Sequence, residues 1–278
     1  MIKLALKKFI VALRLQKLAY LFFNIYASFP LFRFQTIQRN GISYKVDLKE
    51  SVDRGIFLLG WEPLTIQWLL SNLHPGDIVI EVGANVGAHS LIISKIIGEN
   101  GHLYAFEPTN YAFKKLAENF NLNPSLQKNT DLIKSFVSDK QGTKIKFKIR
   151  SSWKINKTKS SADQMDENFF GEVITIDDFF KDISKINFIK IDVDGHDFKV
   201  LQGAEKTIKH HQPIVFVELY KAGLKKNGDS LQDILDFFSA LNYSGVLENG
   251  DQIDSAHDLQ NSLSLVTHSN GIFTPNIN

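Results

Sequence analysis

Four acids in this chain sit in or directly after runs of apolar, strand-forming residues: Glu81, Glu107, Asp192 and Glu218. Open α/β sheets take ligands outside the carboxyl ends of their strands, so acids at such ends are candidates for chemistry. The first run, Ile78-Val79-Ile80-Glu81-Val82, leads into Gly83-Ala84-Asn85-Val86-Gly87 and then a helical pattern. Isoleucine and valine favour a strand buried on both faces. Glycines there let the backbone turn tightly and approach a ligand. The dinucleotide fingerprint needs a third-place glycine, which Asn85 replaces, and no Gly-Lys-Ser/Thr ending is present to cradle a triphosphate. A shorter G-x-x-x-G loop beside an acid suits a ligand with an adenosine but no pyrophosphate. S-adenosyl-L-methionine is such a ligand. The same residues also make a plain strand-turn-helix.

Glu107, followed by Pro108, stands 26 positions beyond Glu81, the length of one strand-helix-strand unit. An acid at the tip of the second strand is placed to accept hydrogens from both ribose hydroxyls. It reads equally as a helix-capping acid near Asn110, and the two roles are compatible. Asp139, after Ser138, is a candidate for the adenine amino group or for a turn. Asp192, Asp194, His196 and Asp197 crowd the turn after the fourth strand, and Glu218 ends the fifth. Asp192 is expected to orient the cofactor or polarise an acceptor. His196 has the reference pKa suited to taking a proton near neutrality. Glu218 is expected to bind an acceptor hydroxyl. The structural counterparts are caps for Asp192 and Asp194, a surface helix residue for His196 and a salt-bridge partner for Glu218. Carboxylates in such number also suit magnesium, but no residue is assigned to a metal.

Taken in order, these blocks resemble the FkbM family of S-adenosylmethionine-dependent methyltransferases. The resemblance rests on Pro75-Gly76-Asp77 with residues 80–87, on Tyr104-Ala105-Phe106-Glu107-Pro108, and on residues 174–179. It rests most on residues 188–197 with Val200-Leu201-Gln202-Gly203-Ala204; Pro213 and Glu218 close it. It covers roughly residues 55 to 220. Asp194 and Asp197 stand where the family usually has glutamates, and Glu81 where it often has aspartate. The resemblance implies a Rossmann-like class I methyltransferase fold, α/β, with a mostly parallel seven-stranded sheet, an antiparallel last strand and helices on both faces. It implies S-adenosyl-L-methionine as cofactor, held by Glu62, Glu81, Gly83, Ala84, Asn85, Val86, Gly87, Glu107, Pro108, Asp139 and Asp192. Glu62, in Gly60-Trp61-Glu62-Pro63, would hold the cofactor's amino acid end, or else is a solvated acid in a turn. O-methylation of a hydroxyl on a sugar, glycan or other small molecule is expected, with Asp192, His196 and Glu218 as catalytic candidates. The alternative is a non-catalytic module that binds the cofactor and docks on a membrane or partner.

The 278 residues are 44% hydrophobic, enough for one large α/β domain with additions. A net charge of +2 does not argue for nucleic acid, and none is expected as a partner. With no cysteine, disulfides and thiolate metal sites are excluded. Up to Arg33 there are basic residues and no acid, and Lys3, Lys7, Arg14 and Lys17 share one face of a helical wheel. Residues 1–35 are therefore expected as a basic amphipathic helix, which either packs on a protein surface or lies on an anionic membrane. A cleaved leader is the weaker reading, because Arg14 and Lys17 interrupt the apolar run. The expected location is cytoplasmic, with peripheral contact at the inner face of a membrane if that helix binds lipid. The oligomeric state is open.

The elements expected to position these residues are a lid or entrance segment over 36–75, a methyltransferase domain over 76–268 and a loose tail over 269–278. Strands are expected at 102–106, 131–137, 188–192, 214–218 and 243–247, and an antiparallel one at Leu263 to Thr267. Helices are expected at 64–73, 88–97, 110–121, 197–209 and 230–240. Such alternation argues for a parallel sheet with right-handed crossovers. Lys144, Lys146 and Lys148 alternate with apolar residues as in a lysine-guarded edge hairpin, or as a basic rim for an acidic substrate. The polar stretch from Ser151 to Asn168 reads as an insertion near the active site.

Overall fold

The computed structural model describes Tyr26 and residues 29–58, 60–142, 147–150, 166–169, 172–253, 255, 259 and 269–276. The expected N-terminal helix lies largely outside these residues, as do Lys144, Lys146, residues 151–165 and the expected strand at 263–267. Among the described residues, no helix is long and apolar enough to cross a membrane. The described residues fall into two compact units divided between Trp61 and Glu62.

The first unit contains an antiparallel hairpin of β1 (Phe34–Arg39) and β2 (Ile42–Asp47), followed by the helix Ser51–Leu58. Asn40 and Gly41 both have positive φ, as a tight hairpin turn requires. The Arg33 guanidinium donates to both Asp47 carboxylate oxygens at 2.8 and 2.6 Å.

The second unit is built on a seven-stranded sheet. Its strands are β3 (Ile78–Val82), β4 (His102–Phe106), β5 (Thr130–Ile133), β10 (Phe188–Ile191), β11 (Ile214–Glu218), β12 (Tyr243–Leu247) and β13 (Asn270–Pro275). The intervening short strands are β6 (Phe136–Val137), β7 (Phe147–Arg150), β8 (Asp166–Phe169) and β9 (Val173–Ile174); β6 pairs with β9 and β7 with β8 outside the main sheet. The order across the sheet is β12-β13-β11-β10-β3-β4-β5. Pairing is parallel from β11 through β5, and β13 runs antiparallel to both β11 and β12. This is the expected mostly parallel seven-stranded sheet with an antiparallel last strand.

Both faces are covered. Ile80, Val82, Ile189, Ile191, Val215 and Val217 pack on one face against residues of the helices Asp197–Gln202, Glu205–His211 and Leu231–Ala240. On the other, Trp68 of the helix Pro63–Asn72 stacks on Phe188 at 5.4 Å and lies against Phe216 at 5.5 Å. Residues on alternate positions of a strand serve opposite faces, so a continuous apolar run is what such a sheet needs.

Four expectations are corrected. The boundary expected at 75 falls at 61/62, because Trp68 anchors its helix on the sheet. The tail over 269–278 is not loose: Asn270–Pro275 is β13, whose Phe273 stacks on Phe238 at 3.8 Å. The single helix over 197–209 is two, Asp197–Gln202 and Glu205–His211, separated at Gly203 and Ala204. The third strand ends at Ile133, and Phe136–Val137 turns away to pair with β9.

Candidate functional site

Between β3 and β10 the chain order reverses: from β3 it runs outward to β4 and β5, then returns to β10 on β3's other side. Crevices at such reversals are the usual ligand sites of open α/β sheets. Here the walls come within backbone contact. A Cβ built on Gly83 would lie 2.0 Å from the carbonyl oxygen of Asp192, and Gly83 has φ +92°, a conformation that L side chains rarely adopt. Gly83 and Ala84 both donate their N–H groups to the Phe106 carbonyl at 2.9 Å. The loop is thus tied to β4 as well as pressed on β10. Asn85 takes a left-handed conformation (φ 57°), and the Val86 carbonyl accepts from the Asn119 amide at 2.8 Å.

Glu107 braces this loop. One carboxylate oxygen accepts the Asn85 N–H at 3.0 Å, and the other accepts the Thr109 N–H at 2.9 Å and its hydroxyl at 2.6 Å. Thr109, not Glu107, caps the helix Asn110–Asn121, its side chain accepting the Ala112 N–H. Pro108 follows Glu107 in the same turn. Glu81 lies deeper than expected: it is buried and accepts the Ser90 hydroxyl at 2.5 Å. Burial raises its pKa, and the Lys190 charge opposes that rise.

Lys190 was not singled out from sequence, yet it links the acids that were. It stands opposite Glu81 in the β3–β10 ladder, and its ammonium lies 2.9 Å from the Asp192 carboxylate. Burial alone would depress this lysine; the charges of Asp192, Glu81 and Glu62 outweigh burial and leave it raised. The signal in the sequence is a lysine within the apolar Phe188-Ile189-Lys190-Ile191, the one charge in a strand buried along its length.

Glu62 immediately precedes the helix Pro63–Asn72, in a left-handed conformation, and its carboxylate lies 3.7 Å from the His89 ring. Burial, then the charge of Asp192, pushes its pKa up to about 7. Glu218 ends β11. Burial, then Asp192, Asp197 and Asp194, pushes it up to about 10, and one of its carboxyl oxygens is buried without a hydrogen-bond partner. Asp197 is buried and accepts the Val193 and Gly195 N–H groups at 3.1 and 2.8 Å, shaping the turn after β10. Glu62, Glu81, Asp192 and Glu218 therefore gather around one ammonium.

His196 joins a different group. Its Nε2 lies 3.0 Å from the Ser138 hydroxyl, and its ring packs on Phe136 with centroids 5.0 Å apart. Ser138 donates to Asp139 at 2.9 Å, which leaves its oxygen to accept from His196 and assigns the imidazole hydrogen to Nε2. Burial pushes the His196 pKa down, so the ring is neutral near pH 7. Among the described residues, no group of three or more His, Cys, Asp or Glu is arranged to hold a metal ion.

The chain is similar to the hexuronic acid methyltransferase AglP of Haloferax volcanii, 27% identical over 163 residues, which are 56% of this chain and 61% of that protein. It thus spans less than two thirds of the curated relative. Among solved structures it is similar to the methyltransferase FkbM of Methylobacillus flagellatus KT, 14% identical, covering 73% of this chain and 44% of that one with a TM-score of 0.46. A SAM-dependent O-methyltransferase of Thermotoga maritima is 9% identical, covering 88% and 78%, with a TM-score of 0.47. The model of the methyltransferase FkbM domain matches residues 81–244, more than half of the chain. The chain belongs to the FkbM family, and the domain it carries is an S-adenosylmethionine-dependent methyltransferase domain.

Proposed function

We propose that this protein methylates a hydroxyl oxygen on a sugar or glycan acceptor, using S-adenosylmethionine. The observation that carries the reading is the gathering of Glu62, Asp192 and Glu218 around Lys190, beside a glycine loop braced by Glu107. The residues fit the cofactor. Among the described residues the acids around Lys190 outnumber its ammonium, which favours a ligand carrying a sulfonium and an ammonium, and the Gly83 backbone leaves the loop free of a side chain. When bound, the cofactor supplies a methyl group already activated on sulfur.

The loop 83–87 and Glu107 would hold the adenosine, with Ala84, Asn85, Val86 and Pro108 lining that side. Glu62 would take the amino acid end, and Asp139 the adenine edge. Asp192 is 29% exposed and paired through Oδ2 with Lys190. It would take the hydrogen of the acceptor hydroxyl as the oxygen–carbon bond forms and the carbon–sulfur bond breaks. A positioned base of this kind contributes ~10²–10⁴-fold. Glu218 holds its proton near neutrality and would donate a hydrogen bond to the acceptor rather than take one. His196, neutral and held by Ser138, would fix the turn between Asp192 and the following helix. Holding acceptor, methyl and sulfur in line supplies most of the remaining advantage.

The sugar acceptor is supported by the Haloferax volcanii relative, a hexuronic acid methyltransferase. The family match and the closeness of the Asp192 charge to Glu218 favour catalysis over a non-catalytic docking module. The test is incubation of purified protein with methyl-labelled cofactor and a panel of neutral and uronic methyl glycosides. Label should appear as a base-stable methyl ether. Tight cofactor binding without transfer to any hydroxyl acceptor would overturn the reading.

A further inference from the structure

Lys190 carries a large desolvation penalty that the fold could have avoided. Its side chain is 1% exposed, on the sheet face that Trp68 seals through Phe188 and Phe216. A methionine of similar length would fill that space, and replacing buried ionic groups by well-packed apolar ones is often neutral or stabilising. Fold alone therefore does not account for an ammonium here. What it faces does. Glu81 stands opposite it on β3, Asp192 is 2.9 Å away at the end of its own strand, and Glu62 approaches from the start of the helix Pro63–Asn72. Glu218 on β11 also feels its charge. Beyond these lie Glu248 and His89 beside Glu62, Glu107 beside Glu81, and Asp194 and Asp197 beside Glu218.

We propose that Lys190 is a positioning residue for methyl transfer, holding Asp192 and Glu62 in ionised, ligand-facing arrangement at the mouth of the glycine loop. This rests on the reading of Glu62 as a cofactor contact and Asp192 as the base. The lysine touches neither substrate in this scheme; it acts through the acids. Without it, buried Glu81 and the partly buried Glu62, Asp192 and Glu218 would meet with no lysine or arginine of the described residues among them, and they would take up protons. The site would then lose the negative charge that distinguishes a sulfonium cofactor from its neutral thioether product.

The test begins with cofactor-free protein. Side-chain carboxyl carbons are titrated by NMR in wild type, Lys190→Met, Lys190→Arg and Asp192→Asn, with folding followed by thermal unfolding. Glu62 should titrate near pH 7 in wild type, at least a pH unit higher in Lys190→Met, near the wild-type value in Lys190→Arg, and lower in Asp192→Asn. Calorimetry should show that the preference for S-adenosylmethionine over S-adenosylhomocysteine at pH 7 shrinks about tenfold in Lys190→Met and returns as pH is raised. In turnover, the acid limb of kcat/KM should move up in Lys190→Met and stay in place in Lys190→Arg.

A folded Lys190→Met protein with unmoved carboxyl titrations and an unmoved acid limb would reduce the lysine to a space-filler and overturn the proposal. If Lys190→Met does not fold, the other variants decide. A Glu62 titration that is unmoved in Asp192→Asn, or displaced in Lys190→Arg, overturns it. Because the titrations need no acceptor, they stand apart from the proposed O-methylation, whose failure would appear as absent transfer with these shifts intact.

Discussion

The main-chain carbonyl of Asp192 occupies the space that a side chain on Gly83 would need, at 2.0 Å from a Cβ built there. Backbone cannot move aside as a flexible side chain can, so the glycine and the end of β10 are fitted to each other. Gly83→Ala should destabilise the fold by about 3 kcal/mol or more, from left-handed strain and collision together, and abolish cofactor affinity. Gly87 has a similar positive φ of +87°, but its Cβ would meet a Leu116 methyl at 2.8 Å, which can yield, and Leu91 at 3.9 Å, so Gly87→Ala should cost about 1–2 kcal/mol from strain. Urea unfolding of both variants checks the contrast.

Asp192→Asn should lower kcat by ~10²–10⁴-fold while changing the acceptor KM much less. Steady-state kinetics with a labelled methyl donor reads both. A variant with wild-type kcat would remove Asp192 from the base role.

Glu218 makes stability fall with rising pH. Its folded pKa, about 10, lies above its ordinary 4.5, so between those values the native state binds more protons than the unfolded chain. Stability therefore decreases as pH climbs through that window. Glu218→Gln should flatten the dependence, seen as a smaller difference in urea midpoint between pH 6 and pH 9 than wild type shows.

On the proposed reading, Glu62 gives cofactor binding its own pH dependence. With its pKa pushed up to about 7, Glu62 is neutral at pH 6 and charged at pH 8. Affinity for the cationic cofactor should rise across that interval, by about tenfold at most, since one pKa unit corresponds to ~1.4 kcal/mol. Glu62→Gln should bind equally at both pH values. Calorimetry at the two values decides it.

Trp68 is the apolar anchor of the helix that carries Glu62 at its start. Trp68→Ala uncovers Phe188 and Phe216 and should destabilise by about 3 kcal/mol. If the helix is held mainly by this contact, cofactor affinity should fall as well, and denaturation followed by fluorescence of the remaining tryptophans measures the first effect.

Much of this was legible in sequence because buried parallel strands advertise themselves: Ile78–Val82, His102–Phe106 and Ile214–Glu218 fall where their apolar runs place them. The acids were legible for the same reason, standing as charges at the ends of such runs. Partnership was not. Local pattern shows Glu81 and Lys190 as separate residues, and only sheet register, set by long-range pairing, makes them neighbours. His196 had the right chemistry to join Asp192, but the contacts of Ser138 and Phe136 drew it elsewhere. The last strand was misplaced because Asn270–Pro275 contains glycine and proline, both poor strand formers. Packing of Phe273 on Phe238 overrides that propensity.

The insertion of β13 between β11 and β12 has a consequence for synthesis. A ribosome delivers β12 well before the strand that must sit between it and the rest of the sheet. Until Asn270–Pro275 emerges, β11 presents an open edge and β12 has no strand to join. A nascent chain stalled in that interval would offer two sticky borders to chaperones or to neighbouring copies.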